Sequence, residues 1–198
     1  MMPGEPKLVR VDERLVHGQV AVAWLKHLSC SSVCIIDSEV SGDQYIQEIF
    51  RMALGPGNRL VAYAPEDAPL YWGEWEDCLV LVRSAVLACD IFENGATFSQ
   101  LNLGGMGKRI GRRRLLDNIY ASEEEIRSLR FLRDGGVRLF YQSVPGEDPV
   151  DLAPYLNGES DDSGDGKTGN GVVSGGTRPA KEGSRCVSAR TGPGQHQK

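Results

Sequence analysis

The 198-residue chain lacks any apolar run approaching the roughly 20 residues that a membrane-spanning helix requires. Its first stretch, MMPGEPK, lacks a basic segment followed by an apolar one, so no secretion signal is read there. Cysteine is sparse and unpatterned. The five copies, Cys30, Cys34, Cys78, Cys89 and Cys186, are odd in number and never spaced Cys-x-x-Cys. Cys30 and Cys34 alone make a weak metal motif, and reduced, buried thiols are expected instead. An excess of positive charge is also missing. The net charge of −5 argues against nucleic acid as the main partner, because such binding relies on a positive field. There is no Gly-x-Ser-x-Gly elbow, no P-loop and no dinucleotide fingerprint; Gly104-Gly105-Met106-Gly107-Lys108 matches none of them. These absences set aside elbow hydrolases and the common nucleotide-binding enzymes.

What is present is an ordinary globular composition, 40% hydrophobic and 25% charged, sufficient for one domain of ~150 residues with a core. The composition shifts sharply near Gly158. Residues 1–157 read as the folded domain. Residues 158–198 are rich in Gly, Ser and charge and hold no aromatic residue, so they cannot bury enough surface to offset ordering and are expected to be a disordered tail. The tail is acidic at its front and basic at its rear. It reads as a solvated extension, with a tether or interaction arm as the functional alternative.

Within the domain, strand-like and helix-like segments alternate. The strand-like runs are Lys7–Val11, Val33–Asp37, Arg59–Tyr63, Cys78–Val82, Gln100–Leu103 and Val137–Gln142. Most are aliphatic without clean alternation, as in strands covered on both faces. Residues 18–28 carry Val20, Trp24 and Leu28 at helical spacing, with Ala23 on the same side. A capping box is read at Ser41-Gly-Asp-Gln44, ahead of Ile46, Ile49, Phe50 and Ala53. A second lies at Ser122-Glu-Glu-Glu125, with a Glu-rich first turn and a stop at Gly135-Gly136. Repeated β-α-β units predict an α/β fold, an open, mostly parallel β-sheet with helices on both faces. Sites in such folds sit beyond the carboxyl ends of the strands.

Three histidines occur: His17, His27 and His196. His196 falls in the tail and His27 late in the first predicted helix. His17 follows the first strand and precedes the helix that Gly18 opens, the place where ligands bind. A metal would need three or four ligands, and no such set surrounds it. An imidazole can itself be a nucleophile toward phosphorus near neutral pH, since a free ring has a pKa of ~6.5. The product would be stabilised by guanidinium groups and by N–H groups at a helix start. Arg10, Arg14 and the helix after Gly18 provide these, Gly18 permits close backbone approach, and Asp12 or Glu13 could hold an arginine or orient the ring. On chemistry alone, a phosphohistidine site and a structural loop histidine both remain open.

Arg10-Val-Asp-Glu-Arg14-Leu-Val-His17-Gly-Gln-Val20 resembles the phosphorylation-site motif of the enzyme IIB components of the bacterial sugar phosphotransferase system, mannose/fructose/sorbose class. Ile36-Asp-Ser-Glu39, Leu101-Asn-Leu-Gly-Gly-Met106 and the strand ending Gln142-Ser-Val-Pro145 extend the resemblance over residues 7–157. It implies a phosphocarrier with no cofactor and no metal. A phosphorylated IIA protein on a separate chain would donate to His17 through Nδ1. His17 would pass the group to a sugar held by a membrane IIC/IID permease. The resemblance assigns phosphate contacts to Arg10, Arg14 and Ser84; Asp12 and Gly18 are read as supporting residues on the chemistry above. It further implies a homodimer in the cytoplasm, held at the inner face of the membrane by its partners. The alternative is a regulatory phosphohistidine module without sugar transport. Two departures from the family pattern stand out: Glu13 replaces a more usual aspartate, and Arg83-Ser84-Ala85-Val86 lacks the Asn-Pro often found there. The basic run from Lys108 to Arg114 reads as a solvated loop, with a docking surface for an acidic partner as its functional alternative. Tyr71, Trp72 and Trp75 are expected to pack rather than to bind sugar.

Overall fold

The computed structural model describes residues 4–157 apart from 117; for 19 and 20 it describes the backbone alone. The expectation of a disordered tail over 158–198, with Cys186 and His196, lies outside the described residues. In chain order the elements are β1 (Leu8–Asp12), α1 (Gly18–Leu28), β2 (Ser32–Ile36), α2 (Ser38–Gly42), α3 (Gln44–Leu54), β3 (Arg59–Tyr63), α4 (Ala68–Tyr71), β4 (Cys78–Val82), α5 (Ala85–Glu93), β5 (Gln100–Gly105), β6 (Arg113–Leu116), β7 (Ile119–Ala121), α6 (Glu123–Asp134), β8 (Arg138–Tyr141), β9 (Val150–Asp151) and α7 (Ala153–Leu156). The main sheet runs β3-β2-β4-β1-β5-β8-β9. All its pairings are parallel except that of β8 with β9. This is the α/β architecture expected.

Two apolar cores explain why the strands read as continuous hydrophobic runs. Val9, Val11, Cys34, Ile36, Val80 and Val82 point to one face, where α5 and α6 pack through Ala88, Ile91, Ile126 and Leu129. The intervening Leu8, Val33, Ile35, Leu79 and Leu81 point to the other, against Ala21, Trp24 and Leu25 of α1 and Leu54 of α3. A strand with apolar partners on both sides has no polar face to alternate with. Of the residues expected on the apolar side of α1, Trp24 is buried and Leu28 half-buried in this second core, where Ala21 and Leu25 join them.

Several local expectations need correction. Ser41 does not open a helix. Asp37 caps α2 through Val40 N–H at 3.0 Å, and Asp43 caps α3 through Tyr45 and Ile46 N–H at 2.8 and 3.2 Å. Aspartate accepts these bonds as well as serine does, and the chain breaks between two short helices. Of the residues expected to line the buried face of α3, Ile49 and Ala53 are exposed. The second capping box is present in full: Glu125 N–H donates to Ser122 Oγ at 3.2 Å and Ser122 N–H donates to Glu125 Oε2 at 2.9 Å. The β6–β7 hairpin was not anticipated. It begins inside the basic run, so Arg113 and Arg114 are strand residues and not part of a loop. Trp72 and Trp75 are buried and pack edge to face at 4.8 Å, while the more exposed Tyr71 stacks on Tyr63 at 4.6 Å. Cys34, Cys78 and Cys89 are buried and Cys30 is half-buried, and none of these four is in a disulfide.

Candidate functional site

β1 lies between β4 and β5, so its carboxyl end opens where the connections leave in opposite directions along the sheet. The chain leaves β1 through a turn in which Leu15 N–H donates to Asp12 C=O at 2.9 Å. Leu15 and Gly18 both take positive φ, 55° and 38°. Such a backbone costs a leucine about 1–2 kcal/mol, offset here by its burial in the α1-side core. His17 is the residue capping α1, and the first turn of α1 holds no acidic residue that would compete for an anion.

Asp12 is the hub. Its carboxylate is 1% exposed yet meets three cationic or ionisable side chains. Oδ2 accepts from Arg10 Nη2 at 3.1 Å and from His17 Nε2 at 3.3 Å. Oδ1 accepts from the Arg14 backbone N–H at 3.2 Å and from Arg14 Nε at 3.4 Å. With Nε2 donating to a carboxylate, the neutral His17 ring carries its lone pair on Nδ1.

Arg10 lies beneath this cluster, 2% exposed. Its Nη1 donates to Asn102 Oδ1 and to Gln142 C=O, the latter at 3.1 Å. Its Nη2 donates to Asp12 and to Ser143 C=O at 3.2 Å. The guanidinium sits over the Trp24 ring at 5.3 Å. Burial draws its pKa below the usual arginine value, and Asp12 opposes that shift. The position expected to touch phosphate is thus an internal strut for Asp12. Arg14, by contrast, has a side chain 64% exposed and reaches the surface of the site.

Asn102, Gly104 and Gly105 are site residues to which sequence reasoning assigned no role. Asn102 stands beside Arg10 in the β1–β5 register, which shifts between Val11 and Asp12. A Cβ on Gly104 would lie 2.0 Å from Arg10 Cζ, and one on Gly105 would lie 3.0 Å from Asp12 Oδ1. The two glycines make room for the buried pair. Consecutive glycines inside a strand are themselves a sign of such close approach. Ser84 lies two residues beyond β4, the strand next to β1, and caps α5 by accepting from Leu87 N–H at 3.1 Å. Its neighbour Arg83 is committed to Asp37 and Glu39 at 2.5 and 3.1 Å. His27 lies on exposed α1 surface, edge-on to Trp24 at 5.8 Å.

The model of one protein family, the PTS system sorbose subfamily IIB component, matches residues 6–165. The chain belongs to that family. It is similar to the sorbose-specific EIIB component of Klebsiella pneumoniae, with 28% identity over 76% of this chain and 94% of the relative. It is 27% identical to the mannose-specific EIIAB component of Escherichia coli K12 over 69% of this chain and 44% of that longer protein. The crystal structure of the IIBSor domain of the sorbose permease from K. pneumoniae superposes with a TM-score of 0.69 at 26% identity, covering 77% of this chain and 96% of that one. Membership of the PTS IIB family makes this chain a sugar-specific component of the phosphotransferase system, acting in phosphotransfer during sugar uptake. No helix among the described residues of this IIB protein is long and apolar enough to cross a membrane.

A second ionic cluster adjoins the IIB site. Glu13 extends away from Asp12 toward the segment after β5. It accepts from Gly107 N–H at 3.3 Å, Arg109 at 3.2 Å and Arg112 at 2.5 Å. Arg112 also donates twice to Glu125, at 2.6 and 2.9 Å, and to Gly107 C=O at 2.9 Å. Burial acts against its charge, but the hydrogen bonds it donates to Glu125 and Glu13 outweigh that and hold its pKa above the usual arginine value. With a side chain only 10% exposed, Arg112 is not part of a solvated loop, contrary to the reading of the basic run.

Proposed function

We propose that His17 is the phosphoryl acceptor of this IIB protein, taking the group on Nδ1 from a phosphorylated IIA protein and passing it to a sugar bound by a membrane IIC/IID permease. The observation that carries this reading is the 3.3 Å contact of His17 Nε2 with the buried Asp12 carboxylate. It turns the nucleophilic nitrogen away from Asp12 and fixes the ring.

In the first transfer the N–P bond of the donor histidine breaks as the Nδ1–P bond of His17 forms. The His17 ring becomes cationic while Nε2 keeps its proton. Asp12 stabilises that developing charge through the same hydrogen bond, as a carboxylate does for a histidine base in acyl transfer. Arg14 meets the phosphoryl oxygens from the exposed side, and the amino end of α1 adds backbone N–H groups. Arg10 acts from below, holding Asp12 and contributing its charge. Ser84 approaches from the end of β4. In the second transfer the Nδ1–P bond breaks as a sugar hydroxyl oxygen bonds phosphorus and gives up its proton. The chain itself works at the inner face of the membrane through these partners.

The test is transfer of labelled phosphate from a phosphorylated IIA protein to this chain, read as acid-labile label, with His17→Ala and Arg14→Ala alongside. Label on the wild type and none on His17→Ala is the expected result, with Arg14→Ala labelled more slowly. Equal labelling of His17→Ala and wild type removes His17 from the acceptor position. Equal rates for Arg14→Ala and wild type remove Arg14 from the phosphate contact.

A further inference from the structure

We infer that Arg112 is a positioning residue for phosphotransfer, tying the β1–α1 loop that carries Asp12, Arg14 and His17 to the amino end of α6 through Glu13 and Glu125; the inference rests on the reading of His17 as acceptor. Glu13 sits between two residues of the site and belongs to neither hydrogen-bond arm of Asp12. Its backbone N–H donates to Gly105 C=O at 3.1 Å, and its carboxylate is held by Gly107, Arg109 and Arg112. The chain beyond it takes positive φ at Leu15 within the loop and again at Gly18, the first residue of α1. A loop so strained holds one geometry only where its surroundings impose it.

Arg112 provides that constraint. Its planar fork grips Glu125 with Nε and Nη2 while Nη1 reaches Glu13, so one guanidinium spans two carboxylates. Glu125 in turn is fixed by the capping box with Ser122. The far anchor is therefore the first turn of α6, whose Ile126 and Leu129 are fully buried. Rigid core passes to site loop through three side chains. Lysine would keep the charge and lose the fork. Arg109, whose side chain is 65% exposed, adds a weaker outer clamp on the same carboxylate.

The experiment compares wild type, Arg112→Gln, Arg112→Lys, Glu13→Gln and the Glu13→Gln/Arg112→Gln double variant. The readouts are single-turnover transfer from a phosphorylated IIA protein over a range of donor concentrations and imidazole nitrogen NMR of His17 in the unphosphorylated protein. Glu13→Gln leaves the Arg112–Glu125 pair and the α6 cap in place, so a loss there does not come from an unravelled helix. Expected is a fall on the order of 10- to 100-fold in the transfer rate at saturating donor, the size that a small misplacement of a reacting group produces. The half-saturating donor concentration stays as in wild type, Arg112→Lys recovers part of the rate, and the double variant is no slower than the slower single one. The His17 ring nitrogens move away from the Nε2–H pattern in Arg112→Gln and in Glu13→Gln. Wild-type rates in the variants, a loss confined to the half-saturating concentration, or strictly additive losses each overturn the inference. Should wild type itself accept no phosphoryl group, the acceptor reading fails. The ring spectra then judge the link alone, and an unchanged His17 signature in Arg112→Gln overturns it.

Discussion

The guanidinium of Arg10 occupies the space where a side chain at position 104 would be: a Cβ on Gly104 would stand 2.0 Å from Arg10 Cζ. Arg10 cannot swing away, because its nitrogens are bonded to Asn102, Asp12 and two backbone carbonyls and its plane is covered by Trp24. Gly104→Ala therefore displaces a buried, paired cation. The expected cost is about 3–5 kcal/mol, in the range for breaking a buried ion pair. Thermal unfolding of the variant beside wild type checks it. An unchanged midpoint would mean that the strand yields instead of Arg10.

Asp12→Asn keeps the size of the hub and removes its charge. Arg10 then loses its buried counter-ion, and His17 Nε2 loses a charged acceptor. Stability is expected to fall by about 3 kcal/mol, and phosphate acceptance by on the order of 100-fold or more, as befits loss of the group that orients a reacting histidine. Chemical denaturation and the single-turnover assay measure the two effects separately. Transfer at the wild-type rate in a folded Asp12→Asn protein would show that Asp12 serves structure alone.

Ser84 has two claims on it, a helix cap and a phosphate contact. Ser84→Ala removes both and should cost about 1 kcal/mol through the cap. Ser84→Asn keeps a capping oxygen and loses the hydroxyl. Slower transfer in both variants assigns the hydroxyl to phosphate. A stability loss in Ser84→Ala alone, with both transferring normally, leaves it as the α5 cap.

Asp90 on α5 has a pKa raised by burial first and then by Glu93 and Glu124 nearby. A raised carboxylate pKa means that the folded state binds the proton more tightly than the unfolded chain. Its contribution to stability is thus least favourable at neutral pH, and the penalty fades as pH falls through the folded-state pKa. Asp90→Asn should raise the melting temperature at pH 7 and lose that advantage near pH ~4, where a carboxyl group protonates. Melting curves across that range decide it; an equal gain at both ends would point to a cause other than charge.

Much of this IIB protein was legible along the chain. The strand runs at Arg59–Tyr63 and Cys78–Val82 and the helix over 18–28 have the bounds that the structure shows. His17, Arg14, Asp12 and Gly18 stand together because they are neighbours in sequence, so a short motif contains them. The α2–α3 break was misplaced, because several residues near Ser41 can cap and only packing selects Asp43. The β6–β7 hairpin escaped notice, because five arginines and lysines in a row of seven mask the alternation of Leu115 and Ile119 into the core.

By itself the sequence determined the class of fold and the local order of the site, since hydrophobic runs, caps and a contiguous motif are properties of neighbours. Only the tertiary structure decided what those residues do to one another. Parallel pairing of β1 with β5 carries Asn102 and Gly104 to Arg10 across more than ninety positions, burying an arginine that was expected to contact phosphate. The approach of α6 to the site loop turns Arg112 from a loop charge into a strut between Glu13 and Glu125. Burial and distance set the strength of each of these interactions, and neither is a property of position along the chain.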